Sequence, residues 1–118
     1  MMKILVTGSA GFIGYHLAKH LLERGDEVVG YDNVNDYYDT RIKWDRVDRL
    51  KQNGKFQFVH GGLEDKEILN KTFKEHDLEK VVNLAAQAGV RYSVKHPEVY
   101  VDSNLVGFVN VLEACRHN

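Results

Sequence analysis

The stretch KILVTGSAGFIG, residues 3–14, decides how this chain folds. Ile4, Leu5 and Val6 form a short apolar run that stops abruptly at Thr7-Gly8, the pattern of a strand buried in a parallel sheet. Gly8, Gly11 and Gly14 follow at intervals of three, and residues 12–24 carry a helical pattern. A strand that turns straight into a helix needs one residue without a Cβ for the turn. A second such residue lets a diphosphate reach the backbone, and a third lets the helix lie close on the strand. The helix start then offers free N–H groups and the positive end of its dipole to phosphate. No GK[ST] follows, so the loop is not a P-loop.

Working outward, 118 residues make one domain with a real core. A hydrophobic content of 43% with 28% charged residues is ordinary globular composition. The net charge of -1 gives no electrostatic reason to expect nucleic acid or an anionic membrane as a partner. Cys115 is the single cysteine, so no internal disulfide forms, which fits a cytoplasmic location. The first apolar run is too short for a signal peptide or a membrane span.

In the first helix Ile13, Leu17 and Leu21 form one line, with Ala18 and Leu22 beside it, and this stripe should face the core. His16 and His20 lie one turn apart without the glutamate of a zincin motif, and they read as a solvated flank; no metal site is expected. Tyr15 and Lys19 have a Y-x-x-x-K spacing, but they sit opposite the core stripe behind the glycine loop and read as a decoy. Gly25 closes the helix. Residues 27–31 form the second strand, and Asp32 ends it, 18 residues beyond Gly14. A carboxylate there accepts hydrogen bonds from both hydroxyls of an adenosine ribose and repels a 2′-phosphate, favouring NAD over NADP. The alternative is a turn residue that opens the loop NVNDYYD.

Residues 40–52 read as a helix with Thr40 as N-cap, and its five basic residues alternate with Asp45 and Asp48, giving a solvated face. Residues 56–60 form the third strand. Residues 64–76 form a helix with Ile68, Leu69 and Phe73 inward, and residues 80–86 form the fourth strand. The small-residue stretch QAGVRYS reads as a turn, and residues 98–117 as one last helix. That helix has two apolar lines: Leu105, Val109 and Leu112, and Phe108, Val111 and Cys115. One should cover the sheet and the other needs a further cover. The expected fold is α/β: a partial doubly wound (Rossmann) parallel sheet, four strands in order 3-2-1-4 with flanking helices. Its crevice should be built from residues 8–14, Asp32 and residues 85–87.

TGSAGFIG, GYDNVNDYYD, NLAAQAGVRYS and YVDSNLVGFVNVLEACR together resemble the extended short-chain dehydrogenase/reductase superfamily. Within it they resemble the NAD-dependent epimerase/dehydratase family, and most nearly its UDP-glucuronate 4-epimerases. The resemblance implies a tightly held NAD+ that takes a hydride from C4 of a UDP-sugar and returns it to the other face. It implies that Gly8, Gly11 and Gly14 line the pyrophosphate, with the N–H groups of Phe12 and Ile13 donating to it. Asp32 would hold the ribose with Asn33 beside it. Ala85, Ala86 and Gln87 would pass along the nicotinamide side, and Asn104 would approach the cofactor from the last helix. Arg91 would reach a substrate carboxylate or phosphate, with solvent exposure or structural packing as the alternative.

Two departures stand out. The family usually has Asp where this chain has Gly62, so the adenine would rest on the Gly62 backbone and Leu63, with one hydrogen bond lost. The family's Y-x-x-x-K and sugar pocket lie further along the chain. The expectation is therefore an N-terminal portion that binds dinucleotide without catalytic residues of its own. A homodimer or larger assembly through strand 4 or the last helix is expected, because an unpaired edge invites pairing. The competing readings are a sugar-nucleotide dehydratase, another UDP-hexose epimerase, and a stand-alone NAD(H)-sensing module.

Overall fold

Alternation along two central strands builds two cores, one on each face of a sheet. The computed structural model describes residues 1–118 apart from Tyr37 and residues 87–89, and describes residues 90–92 by their backbone alone. Strand β1 (Lys3–Thr7) sends Ile4 and Val6 to one face and Leu5 to the other. Strand β2 (Glu27–Asp32) does the same with Val28 against Val29 and Tyr31. Strand β3 (Phe56–His60) pairs with β2, and β4 (Lys80–Asn83) pairs with β1, all parallel, in the expected order 3-2-1-4.

Helices α1 (Phe12–Glu23) and α2 (Thr40–Lys51) cover the face of Ile4, Val6 and Val28, contributing Ala18, Leu21, Leu22 and Leu50. Helix α3 (Lys66–Glu75) covers the other with Leu69 and Phe73. It is joined there by the last helix, which enters as α4 (Val90–Lys95), α5 (Pro97–Tyr100) and a π-helical turn (Val101–Val106) before α6 (Gly107–His117). Burying apolar side chains on both faces makes the sheet an interior slab, worth roughly 1.5–3 kcal/mol for each fully buried Leu, Val or Ile.

Several local expectations are corrected. Asp32 belongs to β2. Strand β4 stops at Asn83 instead of residue 86: the Leu84 N–H is shared between the Thr7 carbonyl (3.2 Å) and Thr7 Oγ1 (3.0 Å), and the Ala85 N–H goes to Thr7 Oγ1 (3.1 Å). The Thr7 hydroxyl in turn donates to Asn83 Oδ1. The N-cap of α2 is Asp39, not Thr40. Its carboxylate accepts the Arg41 N–H at 2.9 Å, and the Arg41 guanidinium beside it holds it below the usual carboxylate range. Ile13 is 69% exposed, so the buried stripe of α1 is Gly14, Ala18, Leu21 and Leu22. Tyr15 does not sit opposite the core: it packs against the first core cluster, and with Lys19 it borders Arg49 and Leu50 of α2. Part of the stretch read as a turn is α4, and the single last helix is interrupted. Its sheet-facing line is Gly107, Val111 and Ala114 with Asn110, whereas Phe108 and Cys115 are exposed. Leu105, Val109 and Leu112 remain exposed, as expected for a face that needs a further cover.

Among the described residues no helix is long and apolar enough to cross a membrane, and no group of three or more potential ligands could hold a metal ion. Ser9 is fully buried against the bare Cα of Gly30. Its hydroxyl is the one buried side-chain polar atom among the described residues without a hydrogen-bond partner. Removing an unsatisfied hydroxyl removes its desolvation penalty. Ser9→Ala is therefore expected to leave unfolding in urea unchanged or to raise stability by about 1 kcal/mol. A clear loss of stability would show that the hydroxyl is satisfied after all.

Candidate nucleotide-binding site

At the carboxyl ends of β1, β2 and β3 a crevice opens between the glycine loop and the turn after β3. Gly8, Gly11, Asp32, Asn33, Gly62, Leu63, Ala85 and Ala86 all line it. The three glycines have separate jobs. Gly8 has φ +75° and would press a Cβ onto the backbone of Leu84 and Ala85 at 2.9 Å. Its N–H donates to the Tyr31 carbonyl at 2.8 Å, which fastens the turn to β2. Gly14 lies on the Gly8 peptide, whose carbonyl carbon would be 2.7 Å from an added Cβ. Gly11 meets only the Gly8 oxygen at 3.2 Å, leaving its crevice side bare for a ligand.

The helix ends differ in a telling way. Asp39 and Asp65 cap α2 and α3 with their carboxylates, while α1 begins at Gly11 with no side-chain cap. The first-turn N–H groups of α1, those of Phe12 and Ile13 included, have no intrahelical partner. Together with the dipole they make an anion site beside a loop with no Cβ in the way.

Asp32 is 8% exposed and braces the loop from the next strand. Its Oδ2 accepts the Ala10 N–H at 3.0 Å and its Oδ1 accepts the Val34 N–H at 2.7 Å. The turn role is thus realised. A carboxylate has about four lone-pair sites, so two remain for ribose hydroxyls. The turn is tight enough to hold Val34, a β-branched residue, at φ +49°, a conformation that is sterically unfavourable for it.

Helix α2 supports this loop with two cations that sequence reasoning assigned to a solvated face. Lys43 is buried. Its ammonium donates to the Asn35 carbonyl (3.0 Å) and to Asn35 Oδ1 (2.6 Å) and lies 4.4 Å from the Tyr38 ring centre. Burial pushes the Lys43 ammonium below its ordinary range, with the Asp32 charge opposing that shift. Arg46 donates to the Ala10 carbonyl and to the Tyr38 hydroxyl, both at 3.0 Å, tying α2 to the glycine loop itself. A charged residue every three or four positions looks alike whether it meets water or a carbonyl, so only the fold separates Lys43 and Arg46 from Arg41.

The remaining expected residues scatter. Ala85 and Ala86 line the crevice next to Leu84. From the last helix Ser103 lines the crevice, and Asn104, the expected residue, is its exposed neighbour. Gln87 lies outside the described residues, as does the side chain of Arg91. Tyr31 and Glu64 also line the crevice and carry no motif that would have marked them. Burial pushes the Tyr31 phenol upward, helped by the charges of Asp65 and Glu64, and its hydroxyl donates to the Gly62 carbonyl at 2.6 Å.

A family model described as GDP-mannose 4,6 dehydratase matches residues 5–118. The chain belongs to that family. It is 55% identical over 98% of its length to Protein CapI of Staphylococcus aureus, and 50% identical over 96% to UDP-glucuronate 4-epimerase 4 of Arabidopsis thaliana. It spans 34% and 26% of those relatives' lengths. Among solved structures, UDP-glucuronic acid 4-epimerase from Bacillus cereus, in complex with UDP-glucuronic acid and NAD, superposes with a TM-score of 0.89 at 39% identity. The match covers 99% of this chain and 37% of that one. The family is one of NAD-dependent epimerases and dehydratases, as the motifs implied, and NAD is its cofactor.

Proposed function

We propose that the protein holds NAD by its adenosine diphosphate half and forms the cofactor-binding part of a UDP-sugar 4-epimerase, with UDP-glucuronate as the favoured substrate. One observation carries the reading. The uncapped start of α1 and the Asp32 carboxylate open into the same crevice, one strand apart, in the order of a diphosphate and a ribose. The residues fit the group: Gly11 leaves the loop bare, the α1 N–H groups face a phosphate, and Asp32 keeps lone pairs for two hydroxyls. The Lys43 ammonium is already committed to Asn35, so a 2′-phosphate would meet the Asp32 charge with that cation engaged elsewhere, which supports NAD over NADP. When bound, NAD supplies a hydride acceptor and donor for the sugar carbon. We place the groups that complete the chemistry and read the sugar outside these 118 residues, a division that the partial span of the relatives supports.

Calorimetric titration with NAD+ and NADP+ tests the reading. Saturable NAD+ binding at least tenfold tighter than NADP+ is expected, since charge repulsion at Asp32 should outweigh 1.4 kcal/mol. Equal affinities would remove the role given to Asp32, and no binding by folded protein would remove the reading altogether.

We further propose self-association. The outer edge of β4 is unpaired among the described residues, and Leu105, Phe108, Val109 and Leu112 are exposed on the last helix. Light scattering at tens of micromolar should report a dimer or larger species, on the general behaviour of open edges. A clean monomer counts against it.

A further inference from the structure

Successive parallel strands are about 4.8 Å apart, so a ligand laid along their carboxyl ends meets one strand after another. Thr7 of β1 stands level with Tyr31 of β2, and Asp32 with His60 of β3. With the diphosphate at β1 and the ribose at β2, the base arrives at the end of β3, where Gly61, Gly62, Leu63 and Glu64 line the crevice. Position 62 has no side chain to offer. Its carbonyl already accepts the Tyr31 hydroxyl (2.6 Å) and the Asp65 N–H (3.2 Å), which takes up both lone pairs.

The space beside Gly62 is nevertheless filled. A Cβ built there would lie 2.7 Å from Glu64 Cδ and 2.7 Å from Glu64 Oε2. The carboxylate of Glu64 thus stands where the side chain of residue 62 would begin, and among the described residues it forms no ion pair.

We propose that Glu64 is the specificity residue of the base end, accepting a hydrogen bond from the exocyclic amine of a bound adenine. The proposal rests on the dinucleotide reading above. A carboxylate is an acceptor with no proton to give. It attracts the amine at C6 of adenine and repels the carbonyl that hypoxanthine carries at the same carbon. Two acceptors facing each other are penalised, while an amine on a carboxylate is a charge-assisted bond.

The test is to titrate the protein with NAD+ and with nicotinamide hypoxanthine dinucleotide. The wild type is expected to prefer NAD+ by about tenfold to a hundredfold, the size of one hydrogen bond to a charged group. Glu64 is exposed, so Glu64→Ala should fold normally, lose affinity for NAD+ by that factor and leave the hypoxanthine form almost unaffected. Adding Gly62→Asp to Glu64→Ala should restore the preference, because the space beside position 62 is then vacant for the new carboxylate. NAD+ binding without a preference, or a preference that survives Glu64→Ala, overturns the assignment while leaving the dinucleotide site standing. Failure of the folded wild type to bind NAD+ at all overturns both.

Discussion

Asp32→Ala is expected to weaken NAD+ binding roughly a hundredfold and to lower stability by about 2–4 kcal/mol, because one buried carboxylate holds two backbone groups and faces the ligand. Losing it strands the N–H groups of Ala10 and Val34, both buried, with no replacement acceptor. Each stranded donor costs about 1–3 kcal/mol. Part of that is recovered, since Val34 no longer has to hold its positive φ once nothing pulls on its N–H. Binding suffers twice: the ribose loses its charged acceptor, and the glycine loop loses the bond that sets Ala10. Asp32→Asn separates the two losses. Its single carbonyl oxygen can keep one of the backbone bonds, and its amide no longer repels a 2′-phosphate. Calorimetry on both variants, with urea unfolding in parallel, should show Asn about 1–3 kcal/mol below wild type, since one of the two N–H groups still loses its acceptor, with its NAD+/NADP+ preference largely erased. Unchanged NAD+ affinity in a destabilised Asp32→Ala protein would reduce Asp32 to a brace for the loop.

The second large effect is expected from Gly14→Ala. Alanine is by itself the better helix former by nearly 1 kcal/mol. Here its methyl group would overlap the Gly8 carbonyl and approach Ser9 Cα at 3.1 Å, and both neighbours are backbone atoms that cannot rotate away. Helix α1 must lift from β1 or the loop must shift, at a cost of about 2–3 kcal/mol by the usual scale of overpacking. Either movement also spoils the phosphate end, so NAD+ binding should fall with stability. Gly54→Ala is the matched control. Nothing lies within 4 Å of a Cβ there, and the change should be close to neutral in both measurements.

The parts of the site legible in the sequence are those fixed by short-range sterics. A strand that turns into a helix over its own carbonyl admits no side chain at positions 8 and 14, so the glycines announce the geometry directly. Asp32 was legible because it ends the next strand. What escaped depends on contacts between segments far apart in the chain. Lys43 and Arg46 look like any charged helix face until Asn35 and Ala10 are brought to them. The packed line of α6 was misjudged because it is made of small residues and a hydrogen-bonded amide. Gly107 sits on Leu63, and Asn110 donates to the Leu63 carbonyl at 2.8 Å, so size and polarity both argued against the face that is buried.

The aromatic group at the end of β3 has an optical consequence. Trp44, the chain's single tryptophan, meets the His60 ring edge-on at 5.2 Å, and His60 Nε2 donates to the Asn33 carbonyl at 2.8 Å. The indole therefore stands one ring away from a residue of the crevice wall. Its emission should respond when a nucleotide tugs on Asn33. The same unlabelled signal would follow occupancy and melting, so the protein carries its own fluorimetric gauge of the cleft.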